Sequence, residues 1–168
     1  KKSISMSEAG SVFQKGGGGT NYEQKVQAAF FVTMLINGSV PTVPNNFIKE
    51  IALQCTSRGY ETDDLFVLAK SATKEHRLLI QIKHNLVLSD KDKVFNKAIK
   101  DYWKDFNNVQ LFNKQTDKLI LIKSVLTKAE NNHIKVILNW AKTHSSSEDF
   151  FNEVNRVKIK KEKINILL

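Results

Sequence analysis

DLFVLAKSATKEHRLLIQIKHN, residues 64–85, is the stretch on which the reading of this chain turns. It holds two short apolar runs, 64–70 and 77–85, each bounded by polar turn residues, which is the pattern of two strands. Successive strand residues point to opposite faces. Leu79, Gln81 and Lys83 therefore share one side, while Leu78, Ile80, Ile82 and His84 share the other. An amide and an ammonium in the middle of an apolar strand call for an explanation.

Upstream, FIKEIALQC reads as a strand over 48–56, because SRGY then supplies turn chemistry, and the three runs together predict an antiparallel meander. A helix is expected before it, with Thr20 as N-cap and Tyr22, Val26, Ala29, Phe30 and Thr33 at helical spacing up to NGSVP. Residues 28–36 are apolar nearly all round, so this helix is expected to be buried. Residues 1–19 end in Gly16 to Gly19, show no periodicity, and read as a flexible lead-in. Downstream, Val94, Phe95, Ala98, Ile99, Tyr102, Trp103 and Phe106 form a helical stripe after an Asp-rich first turn. A strand over 117–124 and helices over 128–143 and 147–157 complete an α/β order. The folded domain is thus expected over 20–158, with 159–168 a basic tail or linker leading to a further, C-terminal sensor domain of a longer chain.

The chain has 168 residues, 41% of them hydrophobic, which is enough for one domain to bury a core without disulfides. Its 26 Lys and Arg against 17 Asp and Glu leave a net charge of +9, pointing to a polyanionic partner such as nucleic acid. Cys55 is the only cysteine, which excludes a disulfide framework and a cysteine zinc site and suits a reducing, cytoplasmic setting. The longest apolar run, 26–36, is interrupted by Gln27 and Thr33 and is far shorter than the ~20 residues of a membrane span. The start carries charge but no apolar h-region, so no membrane association is expected.

Three groups of residues have the right chemistry to act together: Glu23 on the first helix, Asp63 and Asp64 at the opening of one strand, and Gln81 with Lys83 on the next. If the two strands are neighbours, an acid at the start of one lies close to the polar face of the other. Phosphodiester hydrolysis needs a divalent cation held by oxygen ligands and a positive group to offset charge growing in the transition state. Asp64, Gln81 and Lys83 supply those parts.

The spacing from Asp64 through QIK resembles the D...(D/E)xK signature of the PD-(D/E)xK nucleases. The front of the chain, GTNYEQKV, resembles the Mrr-like branch, where an aromatic-Glu pair opens the first helix. The likeness extends to double-stranded DNA endonuclease domains of bacterial antiphage effectors, including CD-NTase-associated ones, and covers residues 16–90. It implies a restriction-endonuclease-like three-layer core, a central mixed sheet flanked by helices. By this resemblance Mg2+ or Mn2+ would be held by Asp64, Gln81, the Ile82 carbonyl and Glu23, with Asp63 as a secondary ligand. Lys83 would orient the attacking water or stabilise the charge on phosphorus. Gln81 stands where the family more often has an acid, so it would bind a metal neutrally and more weakly. The implied activity is low-specificity, metal-dependent cleavage of double-stranded DNA by an effector that forms homo-oligomers on activation.

Plainer accounts compete with each assignment. Glu23 completes a TNYE capping box behind Thr20. Asp63 and Asp64 are good turn residues, and Lys83 would guard an edge strand. His84 is expected as a partnered core or rim histidine, and Cys55 as a small buried hydrophobe. Tyr102, Trp103 and Phe106 are expected in the core rather than as a base-stacking platform. The basic tail reads as a solvated end. Two functional rivals accompany the endonuclease: a catalytically inactive DNA-binding or scaffold module of the same fold, and a ribonuclease or structure-specific nuclease using the same residues.

Overall fold

The computed structural model describes residues 9–156 apart from Asp90 and Ala129, with side chains from residue 21 onward. The expected tail at 159–168 and the first eight residues of the expected lead-in lie outside the described residues. The described elements are helix α1 (Ala9–Leu35), strands β1 (Phe47–Leu53), β2 (Leu65–Lys70) and β3 (Glu75–Lys83), helix α2 (Lys93–Asn107), strand β4 (Lys118–Lys123), and helices α3 (Lys135–Thr143) and α4 (Ser147–Arg156). The fold class is α/β, with one four-stranded mixed sheet of order β1-β2-β3-β4. The three upstream strands form the expected antiparallel meander, and β4 joins β3 in parallel, with Gln81 opposite Leu121 and Lys83 opposite Lys123. The chain divides into two compact units, Lys1–Asn85 with Lys100–Ser124, and Leu86–Ile99 with Val125–Leu168.

In the first unit the sheet is apolar on both faces. Leu65, Val67, Ala69, Leu78, Ile80 and Ile82 point to one side, where Tyr22, Val26, Phe30 and Met34 of α1 cover them. Those four helix residues recur every fourth position, so they form a single stripe. On the other side Phe66 and Leu79 pack with Cys55, Tyr60 and Phe112, joined by Phe106 from the C-terminal half of α2. Burying a leucine-sized side chain of this kind contributes about 1.5–3 kcal/mol, which fixes the register of β2 against β3.

Helix α1 departs from expectation in two ways. It begins at Ala9 and passes through the four glycines, so Thr20 lies inside the helix and not at its cap. Extending an existing helix by a turn is much cheaper than starting one, and the part packed on the sheet supplies the start. The helix is also not buried all round: Val32, Leu35 and Ile36 are exposed, because only the Tyr22 to Met34 stripe meets the sheet. In α2 the expected acidic first turn is replaced by a cap, since Asp92 Oδ1 accepts the N–H groups of Val94 and Phe95 ahead of Lys93.

The second unit has its own small core, in which Ile137 and Val154 pack with Trp140 and Phe150. Its Glu130 is buried and accepts the N–H groups of Leu88 and Thr127, while Thr127 Oγ1 accepts that of Glu130, a reciprocal cap ahead of α3. No helix among the described residues is long and apolar enough to cross a membrane.

Candidate active site

Asp64 is the last residue before β2, and the loop that delivers it is fixed from both sides. Gly59 turns the chain after the short helix Cys55–Arg58 with φ of 84°, a left-handed conformation that suits glycine. The next residues are tied down by Asp105 on α2. Its carboxylate is buried and accepts the N–H of Glu61 at 2.8 Å and of Thr62 at 2.9 Å. The Asp63 carbonyl then accepts the Cys55 N–H at 3.0 Å. From the α1 side, Gln27 Nε2 donates to the Asp64 carbonyl at 3.2 Å and to Glu23 Oε1 at 2.9 Å.

This loop sets the two acids against the end of β3. Asp64 Oδ2 accepts the Lys83 ammonium at 2.8 Å and the Ile82 N–H at 2.6 Å. Asp64 Oδ1 carries no hydrogen bond among the described residues. Asp63 Oδ1 lies 3.4 Å from Gln81 Nε2, and the Gln81 side chain is buried between the acid and the sheet. Tyr102 on α2 takes a place in the sheet's own bonding: its hydroxyl accepts the Gln81 N–H at 3.2 Å and donates to the Ile120 carbonyl at 2.5 Å. Burial pushes the Tyr102 hydroxyl far above its usual pKa, so it stays a donor.

Glu23 completes the group. Its carboxyl titrates above the ordinary range, because it is partly buried and because Asp64 and Asp63 are like charges nearby, with Lys83 and Gln27 offsetting part of this. Glu23, Asp63, Asp64, Gln81, Ile82 and Lys83 therefore all gather at one end of the sheet. The capping-box reading of Glu23 fails, since the helix starts eleven residues before Thr20 and Glu23 is bound to Gln27 instead. The edge-strand reading of Lys83 fails too, since β3 has β2 on one side and β4 on the other. Ile82 enters through its backbone, its N–H donating to Asp64 Oδ2.

Among the described residues, no three His, Cys, Asp or Glu side chains converge closely enough to hold a metal by themselves. The donor set still suits Mg2+, which is held by one or two carboxylates and keeps waters or substrate phosphate oxygens as its remaining ligands. Asp64 Oδ1 is open and Glu23 carries surplus negative potential, and both are hard oxygen donors. Lys83 is paired with Asp64, while Glu23 and Asp63 add further carboxylate charge nearby, which a divalent ion would offset.

His84 has a ring contact but no complete partnering: it sits edge-on to Tyr22 with centroids 5.2 Å apart, and its buried Nδ1 has no hydrogen-bond partner among the described residues. Cys55 is buried as expected, and burial raises its thiol pKa to about 11. Trp103 is not in the core with Tyr102 and Phe106; it is 67% exposed. Sequence reasoning missed Gln27, Asp105 and Tyr102 as residues that position the site. A signal for Asp105 was present, since it falls on the same helical face as Ala98 and Tyr102.

Comparison with protein-family models, with curated proteins and with solved structures gives no match to this chain.

Proposed function

We propose that this chain is a metal-dependent endonuclease acting on double-stranded DNA with low sequence specificity, built on a restriction-endonuclease-like core and serving as an effector domain of an antiphage defence protein. The observation that carries this reading is the convergence of Glu23, Asp64, Gln81 and Lys83 at one end of the sheet, with Asp64 held by its Oδ2 and open at Oδ1. The motif resemblance in residues 16–90 names the same residues, and the net charge of +9 suits a polyanionic substrate.

Asp64 and Glu23 would hold the cation, with Gln81 and Asp63 close behind. A divalent ion bound there supplies charge neutralisation at the phosphate and lowers the pKa of bound water. The chain's own contribution is positional. The Ile82 N–H and Lys83 fix the Asp64 carboxylate, and Asp105 and Gln27 fix the loop and helix that carry the acids. Lys83 is 28% exposed at its side chain, which leaves its ammonium accessible to a phosphate oxygen bound beside Asp64.

One observation favours a second reading. Gln81 is neutral where an acid would strengthen metal binding, and its amide is turned to Asp63. A non-catalytic DNA-binding module would keep this arrangement without cleavage. Incubating supercoiled plasmid with high concentrations of the chain in Mg2+ or Mn2+, with EDTA as control, separates the two. Metal-dependent nicking that is lost in Asp64→Asn and Lys83→Met supports the endonuclease. Absence of both nicking and calorimetric Mg2+ or Mn2+ binding supports the module.

A further inference from the structure

At the end of β3 opposite Lys83 there is an open cavity of about 510 Å³, lined by Arg77, Gln110, Phe112, Asn113, Lys114 and Gln115 among others. Its lining is cationic and amide-rich. Lys114 is exposed and makes no ion pair among the described residues, and its ammonium lies 4.1 Å from the centroid of the Phe106 ring. Arg77 spends its Nε on Asp117 and its Nη1 on the Tyr60 hydroxyl, while its Nη2 has no hydrogen bond among the described residues. The loop that forms the rim is held in shape before any ligand arrives: Asp117 Oδ2 accepts the Asn113 N–H at 2.8 Å, Asn113 accepts the N–H of Gln115, and Phe112 is buried beneath.

Trp103 is connected to this cavity through Phe106, whose ring packs on that of the lining residue Phe112 with centroids 5.8 Å apart. The Trp103 ring stacks on Phe106 with centroids 6.1 Å apart and planes inclined by 23°, and most of the indole faces outward. Phe106 thus links an open indole face to the free ammonium of Lys114. An exposed aromatic face near the exposed Lys114 ammonium and the uncommitted Nη2 of Arg77 is what an unstacked nucleotide requires: the base stacks, and the phosphates meet the positive charge. A duplex interior offers no such open base face. Side-chain amides at the rim suit the polar edges of a base.

We propose that Trp103, Phe106, Lys114 and the Arg77 cavity form a binding site for single-stranded nucleic acid, with a base on Trp103 and the adjoining phosphates on Lys114 and Arg77. This goes beyond the endonuclease reading and does not depend on it, since the site uses none of the residues around Asp64.

The test is anisotropy of a labelled twelve-nucleotide oligothymidylate in EDTA, titrated with the Asp64→Asn chain so that no strand is cut. The same titration is run with Trp103→Ala, Trp103→Phe and Lys114→Ala added, with a duplex of equal length as competitor and circular dichroism to show that each variant is folded. Loss of one stacked base weakens binding by about tenfold in Trp103→Ala, and the phenyl ring of Trp103→Phe recovers most of it. Lys114→Ala weakens binding and lowers the dependence of affinity on salt by about one released ion. Equal affinity in the Asp64→Asn chain with and without Trp103→Ala or Lys114→Ala overturns the proposal, as does preference for the duplex or absence of binding. Plasmid nicking with no effect of Trp103→Ala on strand binding would leave the endonuclease standing and this site refuted; strand binding without nicking would do the reverse.

Discussion

Two ion pairs stand at opposite ends of β3, and they are built differently. At one end, Asp117 is only 2% exposed at its side chain, and both of its oxygens are saturated. Oδ1 accepts the Arg77 N–H and the Thr116 hydroxyl, and Oδ2 accepts the Asn113 N–H and the Arg77 guanidinium. At the other end, Asp64 is 11% exposed, and its bonds fall on Oδ2 alone. A carboxylate with every lone pair used has one task, which is to hold the chain together. Asp64 is held firmly by one oxygen and left open by the other, and it lies among like charges that raise the pKa of Glu23. On the proposed function, that asymmetry separates a structural pair from one with an oxygen left over for a metal ion.

Removing each acid tests the contrast most severely. Asp117→Ala strands buried N–H groups and the Arg77 charge, and is expected to cost about 3–5 kcal/mol, read as a lower midpoint in urea denaturation. Asp64→Ala leaves Lys83 able to hydrate but strands the single N–H of Ile82, and is expected to cost about 1–3 kcal/mol, less than Asp117→Ala. Equal losses in the two variants would make Asp64 another structural acid. The functional arm runs the other way. Lys83→Met is expected to reduce plasmid nicking by about 10²–10³-fold, the scale of losing one charge-stabilising group, with little change in the urea midpoint. Lys70→Met, at the opposite end of β2 from Asp64 and paired with Glu75, serves as a control that should nick like wild type.

How much of this could be read from residues alone depended on whether the cause was local. β2 and β3 were legible in residues 64–85 because alternation and turn residues are local signals, and the proximity of Asp64, Gln81 and Lys83 followed once those strands paired. The parallel placement of β4 was not legible, since it depends on a long connection through α2. Asp105 and Asp117 could not be assigned, because Asp105 bonds a backbone N–H 44 residues away and Asp117, besides its neighbours, bonds one 40 residues away in sequence. Trp103 misled for a different reason. It lies among aromatics in a stretch that also carries charges, yet helical geometry turns Tyr102 and Phe106 inward and leaves the residue beside Tyr102 facing out.

A smaller effect probes the sheet between the two ends. Tyr102→Phe removes the acceptor of the Gln81 N–H and the donor to Ile120, and is expected to destabilise by about 1–3 kcal/mol. If Gln81 matters to the site only through its side chain, nicking per folded molecule should be unchanged in this variant. A fall in nicking with stability intact would instead show that the backbone at Gln81 must be held for Asp63 and Asp64 to act.

The smallest expected effect separates the charge at Glu23 from the fold around it. Because this carboxyl titrates higher in the folded chain than in the unfolded one, the folded state holds its proton more tightly. Its contribution to stability is therefore full below the ordinary carboxylate range and is lost as pH rises through the raised value. Glu23→Gln should be at least as stable as wild type at pH 7, and the difference should close as pH falls below the ordinary carboxylate range. A cation at the site competes with the same proton, so Mg2+ affinity measured by calorimetry should increase with pH across that window in wild type and much less in Glu23→Gln. An unchanged pH dependence in the variant would remove Glu23 from the ligand set and leave Asp64 as its principal carboxylate. Raised affinity in the variant at all pH values would mean that the crowding of Glu23 against Asp64 hinders the metal, which would turn the difference between the two ends of β3 into one of strain alone.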